Sequence, residues 1–490
     1  MKKLFRLLLR LSLLVLVVVL GTLLFNTLNY SSHQVAYAPI EKIQISDQVI
    51  ERLAASIRIP TVSYETHVDT AAMLDLHRLL DSQFVLIDSL LEKEVVNEFS
   101  LIYHWPGKNQ NLQPILLIAH LDVVPVEEES KKAWAVPPYS GVVKDGFIWG
   151  RGTLDDKVSV MGLLEAVELL LQNNYQPERS IYLAFGHDEE VSGRNGAEAI
   201  ARRFKQQNIH FEYVLDEGSV ILEKALPGLE QPLAMIGHAE KGNATLTLTA
   251  RLPEGGHSSM PPKESSIGIL SKALLQLEEN PIPAKIEGTV KTMFDHVGPE
   301  TNWPYKIIFA NLWLFDGILI NQLSAQPAGN AILRTTTAPT ILQAGVKNNV
   351  LPTEAKAKIN FRILPGETPE TVATYIRQTI NDERVEVSNE HAHSAQAPSK
   401  VSGISSFGYH VIQRSIREVF PATTIAPSLV IAATDSRHYS EVVDNTYRFL
   451  PLQISNKDLK RIHGIDERIR LTAYKQAIQF YYQLLINSSQ

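Results

Sequence analysis

The segment PILLIAHLDVV, residues 114–124, decides the fold class, because a short apolar run rich in β-formers ends at a histidine and an aspartate. The segments SIYLAFGHDEE (180–190) and FEYVLDEG (211–218) repeat the pattern. Amphipathic helical patterns at 157–174 and 195–208 separate the three. Strands that alternate with helices predict an α/β fold with a mixed, largely parallel sheet flanked by helices. Ligands of such sheets gather at the carboxyl ends of the strands, where the polar clusters lie here.

The sequence pattern changes near residue 240 and predicts an inserted α+β domain of ferredoxin-like type. Strand patterns with period two alternate with helical patterns in the order βαββαβ, at 243–252, 264–279, 332–342, 354–364, 369–380 and 384–388. A long helical insertion around 303–325 interrupts this order. We therefore expect four segments: an N-terminal signal segment at 1–28, a first domain at 45–237 that resumes at 391–490, and a lid domain at 238–390.

Composition excludes several classes of protein. Hydrophobic residues make up 44% and charged residues 20% of the 490, so a largely disordered chain is excluded. The net charge is -7 and no basic block follows the first ten residues, which argues against a nucleic-acid partner. The chain has no cysteine, so any metal must be held by nitrogen and oxygen ligands.

The N-terminus has the pattern of an export signal or a membrane anchor. Four basic residues in the first ten precede the apolar run LSLLVLVVVLGTLLF at 11–25. An A-x-A sequence at 36–38 lies more than ten residues beyond this run, so an uncleaved anchor is favoured over a cleaved signal peptide. We expect a membrane-anchored protein whose main part is extracytoplasmic, with a secreted or periplasmic form after cleavage as the alternative.

Polar residues that end the predicted strands, or begin the next loop, offer a set of metal ligands. They are His120, Asp155, the pair Glu189 and Glu190, Asp216, and His463 far downstream. Two histidines and three carboxylates, with one glutamate left over, match two Zn²⁺ ions that share a carboxylate. Asp122 is placed to accept the second imidazole N–H of the histidine at 120. Each residue alone has an ordinary structural explanation, such as a buried histidine or a helix N-cap.

Taken together, these motifs resemble those of the family-twenty metallopeptidases over residues 50 to 487. The matching strings are HLDVVP (120–125), GRGTLDDK (150–157), HDEEVSG (187–193), GHSS (256–259), NNVLP (348–352) and HGIDERI (463–469). Two further strings, at 134–141 and 429–439, are most similar to the branch that contains carboxypeptidase S and the secreted enzymes that make and hydrolyse N-fatty-acyl amino acids. The resemblance implies a zinc peptidase domain of the phosphorylase/hydrolase-like fold.

The resemblance also implies a role for each matched residue. One zinc would be held by His120 and Asp216, the other by Glu190 and His463, with Asp155 bridging the two ions of each subunit. Asp122 would orient the histidine at 120, and Glu189 would be the general base. In the lid, His257 would reach the substrate carbonyl, in some members across a dimer interface, so a homodimer through the lid is expected. Asn349 and Arg362 would recognise the backbone and carboxylate of the substrate.

The expected function is hydrolysis of the amide bond of peptides or N-acyl amino acids at a C-terminal amino acid. A dipeptidase or aminoacylase of the same family is the alternative within enzymes, and a membrane-tethered binding protein without turnover is the alternative outside them. No G-x-S-x-G or H-E-x-x-H string is present, which argues against serine hydrolases and single-zinc helix-based proteases. The apolar insertion at 303–323 is read as ordinary core helix, or else as the lining of an acyl site or a dimer surface.

Overall fold

Twenty-one strands and sixteen α-helices lie in the computed structural model, which describes residues 1–389 and 395–489. The strands are β1 Ser63–Tyr64, β2 His67–Val68, β3 Glu92–Val96, β4 Ser100–Trp105, β5 Ile115–His120, β6 Val142–Lys144, β7 Phe147–Trp149, β8 Ile181–Gly186, β9 Val214–Asp216, β10 Ile221–Leu222, β11 Leu233–Glu240, β12 Gly242–Arg251, β13 Gly256–His257, β14 Thr336–Ala344, β15 Val350–Leu351, β16 Glu354–Ile363, β17 Val385–Ser388, β18 Thr424–Val430, β19 Thr446–Arg448, β20 Gln453–Ile454 and β21 Arg468–Arg470. The helices are α1 Lys2–Asn29, α2 Gln48–Ile57, α3 Thr70–Gln83, α4 Val85–Leu90, α5 Glu128–Lys131, α6 Lys157–Gln172, α7 Ala197–Gln206, α8 Ser266–Glu279, α9 Gly288–Val297, α10 Trp303–Ala310, α11 Leu312–Ser324, α12 Pro327–Leu333, α13 Pro369–Ile380, α14 Phe407–Val419, α15 Asn456–Leu459 and α16 Leu471–Ser488.

The main sheet has ten strands drawn from both sides of the inserted domain. Its order is β20-β10-β11-β19-β9-β5-β8-β4-β3, and β18 pairs with β11. β5 runs parallel to β8 on one side and to β9 on the other, and β9 runs parallel to β19. β3 and β4 add an antiparallel edge. The sheet is therefore mixed with a parallel centre, which confirms the fold class expected from the alternating strands and helices.

Helices cover both faces of this sheet because its central strands are apolar on both sides. Leu117 and Ala119 of β5 face the cluster that contains α6, α14 and α16, whereas Leu116 and Ile118 face α7. This alternation follows the two-residue period of a strand. A sheet buried on both faces presents its strand ends as the accessible edge, and the polar segments predicted from the sequence lie at that edge.

The inserted domain is a four-stranded antiparallel sheet with the order β14-β16-β12-β17. α8 and α13 pack on one face, against alternate residues of β12 and β16. The chain order βαββαβ and this strand order are those expected of a ferredoxin-like unit. The division into domains stays a proposal, and its second boundary at 390/391 falls outside the described residues.

The helical insertion packs on the main body and not on the lid sheet. Residues of α9 to α12 share a core cluster with Leu229, Leu233 and Ala426, which lie in or beside strands of the main sheet. The reading of 303–323 as ordinary core helix is wrong for most of its residues, because only Phe309, Asn311 and Leu319 are buried. α1 is exposed except near its end at Thr27, and it is long and apolar enough to cross a membrane.

Candidate metal centre

Four side chains from distant parts of the chain meet at the edge of the main sheet. His120 ends β5, Asp155 lies in the loop before α6, and Glu190 lies in a 3₁₀ turn after β8. Ligand atoms of these three residues lie within 4.8 Å of one another. His463 reaches the same place from the loop after α15, where its backbone takes the left-handed conformation with a φ of 57°. Such backbone conformations in non-glycine residues are uncommon and cluster at functional sites.

The Asp155 carboxylate faces a different histidine with each of its oxygens. Nε2 of His120 lies 2.9 Å from Oδ1, and Nε2 of His463 lies 3.0 Å from Oδ2. The second histidine is also 3.1 Å from Oε2 of Glu190. Burial raises the pKa of Asp155, but hydrogen bonds from the two histidines outweigh it and hold that pKa well below the ordinary value. One carboxylate therefore stands between two imidazole nitrogens.

Both histidines are drawn toward the protonated form by these carboxylates. Hydrogen bonds to Asp155 and Glu190 raise the pKa of His463 to about 10. Burial opposes protonation of His120, yet Asp122 and Asp155 raise its pKa well above the ordinary value. The concentration of negative charge that favours protonation of these histidines would also favour a bound cation.

Asp122 contacts both His120 and the turn that carries Glu189 and Glu190. Its Oδ1 is 3.3 Å from Nδ1 of His120, which also lies 3.1 Å from the backbone oxygen of the same aspartate. The backbone N–H groups of Glu189 and Glu190 donate to its two oxygens at 3.2 Å. The hydroxyl of Ser63 in β1 donates to Oδ2 at 2.5 Å. One buried carboxylate thus fixes a histidine ring and the turn that carries both glutamates.

The two adjacent glutamates have different surroundings. Glu190 accepts from His463 with one oxygen, while its Oε1 is buried and has no hydrogen-bond partner within residues 1–389 and 395–489. Burial raises the pKa of Glu189 well above the ordinary value, and negative charge on Asp435 and Glu190 raises it further. A raised pKa brings a carboxyl group closer to the range in which it can accept and return a proton during catalysis.

Asp216 lies at the end of the neighbouring strand β9, outside the four-residue group. Its Oδ2 accepts from the backbone N–H of Ser436 at 2.8 Å, and its Oδ1 accepts from that of Glu217 at 2.9 Å. Burial raises its pKa, although these backbone donors oppose the shift. The structure therefore places the predicted fifth ligand beside the group, with its carboxylate bonded to backbone.

Sequence reasoning missed a further buried carboxylate beside this site, that of Asp435. Both of its oxygens are buried without a hydrogen-bond partner among the described residues, and burial raises its pKa well above the ordinary value. A Cβ at Gly193 would collide with this carboxylate, and that glycine has a φ of 64°. Asp435 follows the strand β18, so the strand-end pattern that selected His120 could have found it. Ser63 has no comparable signal, because nothing local marks its contact with Asp122.

The three lid residues are divided between two places. His257 in β13 pairs with Val350 in β15, and the backbone of Asn349 accepts from the N–H of Ser258 at 3.1 Å. The histidine side chain is exposed, and its hydrogen bonds in the described residues run to Ser259 and not to the metal ligands.

Arg362 of β16 lies closer to the main body than the other two lid residues. Burial lowers the pKa of its guanidinium, repulsion from Arg437 lowers it further, and Glu240 opposes both. The structure therefore brings the ligand histidines and carboxylates together, but it does not bring His257 and Asn349 to them.

The donor set fits divalent cations of the zinc type. It consists of imidazole nitrogens and carboxylate oxygens, which zinc accepts in tetrahedral sites. Oε1 of Glu190 is buried and has no partner in the described part of the chain, which is costly without a ligand. His120 already has its second nitrogen oriented by Asp122, as metal-binding histidines usually do.

Several known proteins are similar to this chain in sequence. The model of "Peptidase family M20/M25/M40" matches residues 116–487. An N-fatty-acyl-amino acid synthase/hydrolase of Xenopus tropicalis is 44% identical over 448 residues, 90% of this chain and 86% of that protein. A probable carboxypeptidase S-like protein of Dictyostelium discoideum is 41% identical over 486 residues, 96% and 92% of the two chains.

Solved structures share the fold at low sequence identity. An M20 family metallo-carboxypeptidase from Sulfolobus solfataricus has a TM-score of 0.66 at 16% identity, over 91% of this chain and 100% of that one. Human carnosine dipeptidase 1 has a TM-score of 0.62 at 14% identity, over 96% and 98%. The fold is thus shared by enzymes named for different substrates.

Proposed function

Because the chain belongs to peptidase family M20/M25/M40, whose members are metallopeptidases and related amidohydrolases, we propose that it is a di-zinc hydrolase of the carboxypeptidase S type. It would cleave the amide bond of peptides or N-acyl amino acids at a C-terminal amino acid. The observation that carries the proposal is the convergence of His120, Asp155, Glu190 and His463 at one edge of the sheet.

In this proposal His120 and Asp216 would hold one zinc ion, Glu190 and His463 would hold the other, and Asp155 would contribute to both. Bound zinc lowers the pKa of a coordinated water toward neutrality and polarises a substrate carbonyl. Each oxygen of Asp155 faces a different histidine, which supports the bridging role.

Glu189 is the proposed general base. Its backbone is fixed by Asp122, and its carboxyl group is buried beside the ligands with a raised pKa. It accepts a proton from the attacking water and returns it to the departing amine, which requires a pKa near the operating pH. Asp122 acts as a positioning residue, because it contacts the histidine and the turn of the glutamates and not the substrate.

Substrate recognition is assigned to the lid. Arg362 binds the terminal carboxylate of the substrate through two parallel hydrogen bonds from its guanidinium group. His257 contacts the scissile carbonyl, and Asn349 contacts the substrate backbone. Since the exposed histidine is not bonded to the ligands, movement of the lid toward the main sheet would complete the site. A dimer formed through the lid is a second way for the histidine to reach a metal centre.

We place the catalytic part outside the cytoplasm, anchored by α1. Basic residues precede the apolar helix, and the positive-inside rule retains them on the cytoplasmic side. A secreted or periplasmic form after cleavage is the alternative. No nucleic acid is proposed as a partner.

The test is hydrolysis of a panel of N-acyl amino acids and dipeptides by the zinc-loaded protein, together with their C-terminal amides. We expect hydrolysis of members with a free carboxylate, loss of activity with a chelator and recovery with zinc. Amidated members should have a kcat/KM lower by roughly tenfold or more, equivalent to about 1.4 kcal/mol. Arg362→Ala should remove this difference, whereas Lys356→Ala on the same strand and face should keep it.

The panel also separates the alternatives. A ranking with free dipeptides far above N-acyl amino acids would favour the dipeptidase reading. Turnover of no member by protein that retains its zinc would contradict the hydrolase and favour a tethered binding protein.

A further inference from the structure

The corner formed by α10 and α11 exposes an unusual amount of apolar surface. The exposed fractions are 56% for Trp303, 56% for Trp313, 43% for Leu314 and 63% for Ile318. In the 22 residues from 303 to 324, only Lys306 and Asp316 are charged. A contiguous apolar patch on a protein surface marks a binding site for a partner or a membrane.

The membrane candidate helix α1 is docked on this same corner. Asn311, which joins α10 to α11, is fully buried, and its Nδ2 donates to the backbone oxygen of Leu23 and to Oγ1 of Thr27, both at 3.3 Å. Asn26 donates to Oδ1 of Asn311 at 2.9 Å, and the indole N–H of Trp313 donates to that oxygen at 3.2 Å. The corner therefore has a fixed position along α1.

That position is the end of the apolar run at 11–25. A helix rises 1.5 Å per residue, so about 20 residues cross the hydrocarbon of a bilayer. If the basic residues of the N-terminus lie at one face of the bilayer, Leu23 to Thr27 lie at the other. The corner then lies at the extracytoplasmic lipid boundary, where tryptophans with one polar end are enriched.

We propose that α10 and α11 form an in-plane membrane contact, with the exposed side chains of Trp303, Trp313, Leu314 and Ile318 inserted into the outer leaflet beside α1. The occupant of the apolar patch is a lipid bilayer, because the corner is hydrogen-bonded to a membrane candidate helix whose own apolar surface is exposed over most of its length. Helices of this kind bury their apolar face roughly 5–10 Å into the boundary of headgroups and acyl chains. The inference rests on the proposed anchoring by α1 and is independent of the hydrolase activity.

Tryptophan fluorescence provides the test. The chain has five tryptophans, and Trp105, Trp134 and Trp149 are buried, so the two in the corner are the accessible ones. The full chain is placed in nanodiscs of phosphatidylcholine brominated in the upper acyl chain. We expect loss of emission relative to unbrominated discs, with little additional quenching by aqueous acrylamide. The double substitution Trp303→Phe with Trp313→Phe should abolish the loss caused by bromine.

A matched control reports on aqueous exposure. Val346→Trp, introduced into that double variant, places an indole at a lid position whose side chain is 96% exposed. It should be quenched by acrylamide and not by bromine. Circular dichroism verifies that each variant is folded.

Two outcomes would overturn the proposal. Strong acrylamide quenching of the wild type without any effect of bromine would place the corner in water. Protection from both quenchers would mean that protein covers the patch, as in a second copy of the chain. Because the readout needs no turnover, either outcome is distinguishable from failure of the hydrolase proposal.

Discussion

At the residue scale, Asp122 shows how much one buried carboxylate can organise. It contacts the ring of His120, the N–H groups of the two glutamates and the hydroxyl of Ser63. Hydrogen bonds from a neighbouring residue fix the orientation of metal-binding side chains. Loss of these hydrogen bonds commonly lowers metal affinity by about 10–100-fold. The chemistry of the centre therefore depends on a residue that need not touch either metal or substrate.

Glu189→Gln tests the role of the general base. The amide cannot accept a proton, so we expect kcat to fall by roughly 10²–10⁴-fold while the zinc content stays unchanged. Turnover and bound metal, the latter by atomic emission, are measured on the same samples. Glu129→Gln, at an exposed position, should change neither quantity. Loss of zinc in the first variant would instead make this glutamate a ligand or a support for one.

Residue types and strand ends predicted the central site better than its surroundings. His120, Asp155, Glu190 and His463 do lie together, as two-metal chemistry requires, although their roles stay predictions. Asp435 was missed although it follows strand β18, and its neighbours Gly186 and Gly193 are distant in sequence. Ser63 was missed because its contact with Asp122 depends on tertiary packing and leaves no local pattern.

At the element scale, a buried ion pair joins β11, β19 and the turn that follows β18. Arg448 donates to Glu240 at 3.0 Å and to the hydroxyl of Ser436 at 2.9 Å. The glutamate also accepts from the N–H and hydroxyl of Thr434. The N–H of the serine in turn donates to Asp216, so this network connects the sheet to a predicted ligand.

Glu240→Gln should destabilise the fold by leaving Arg448 buried without a compensating charge. Breaking one partner of a buried pair costs roughly 3–5 kcal/mol in the free energy of unfolding. Urea denaturation of both proteins measures the difference. Glu354→Gln removes a surface ion pair with Arg251 and should leave the urea midpoint unchanged. Equal midpoints for all three proteins would contradict the structural role of the network.

Lys241, the one residue between β11 and β12, predicts a pH dependence of stability. Burial lowers its pKa from 10.5 to about 7, while its ammonium donates to the backbone oxygens of Ala331 and Arg334. The unfolded chain then binds more protons between pH 7 and 10.5, so the free energy of unfolding rises with pH in that window. The stability of wild type relative to Lys241→Met should increase by up to about 1.4 kcal/mol per pH unit. A difference that is constant from pH 7 to 10 would exclude a lowered pKa.

Periodicity predicted elements that are regular and locally complete. The strands at 115–120 and 181–186 and the helix at 157–172 follow their patterns closely. The packing of α9 to α12 on the main body was not predictable, because the sequence of an apolar helix does not indicate which element it packs against. The short strand β19 in the middle of the sheet likewise has too few residues for a period.

At the scale of the whole molecule, the chain that follows α1 is part of the folded body. The side-chain amide of Gln34 accepts from the N–H of Ile425 at 2.8 Å with Oε1 and donates to the backbone oxygen of Ile425 at 2.9 Å with Nε2, in place of the backbone of a neighbouring strand. Tyr30 donates to the backbone oxygen of Phe294 at 2.8 Å. Cleavage after Ala38 would remove all of these contacts.

A protein that begins at residue 39 should therefore melt at a lower temperature than one that begins at residue 29. Each lost hydrogen bond is worth about 1 kcal/mol, so we expect a cost of a few kcal/mol. Calorimetry of the two forms measures it, and Gln34→Ala in the longer form should reproduce part of the loss. Identical melting temperatures would mean that residues 29–38 do not stabilise the fold. Stability would then give no reason for the anchor to stay uncleaved.

The detour of the lid polypeptide through α9 to α12 has a practical consequence for engineering. The two halves of the small sheet, 242–279 and 336–388, are separated by helices whose apolar sides rest on the other domain. A fragment excised as 238–390 would carry those helices with nothing to cover them. A graft of this domain onto another scaffold would need a short artificial bridge from residue 279 to residue 336 in place of the native route.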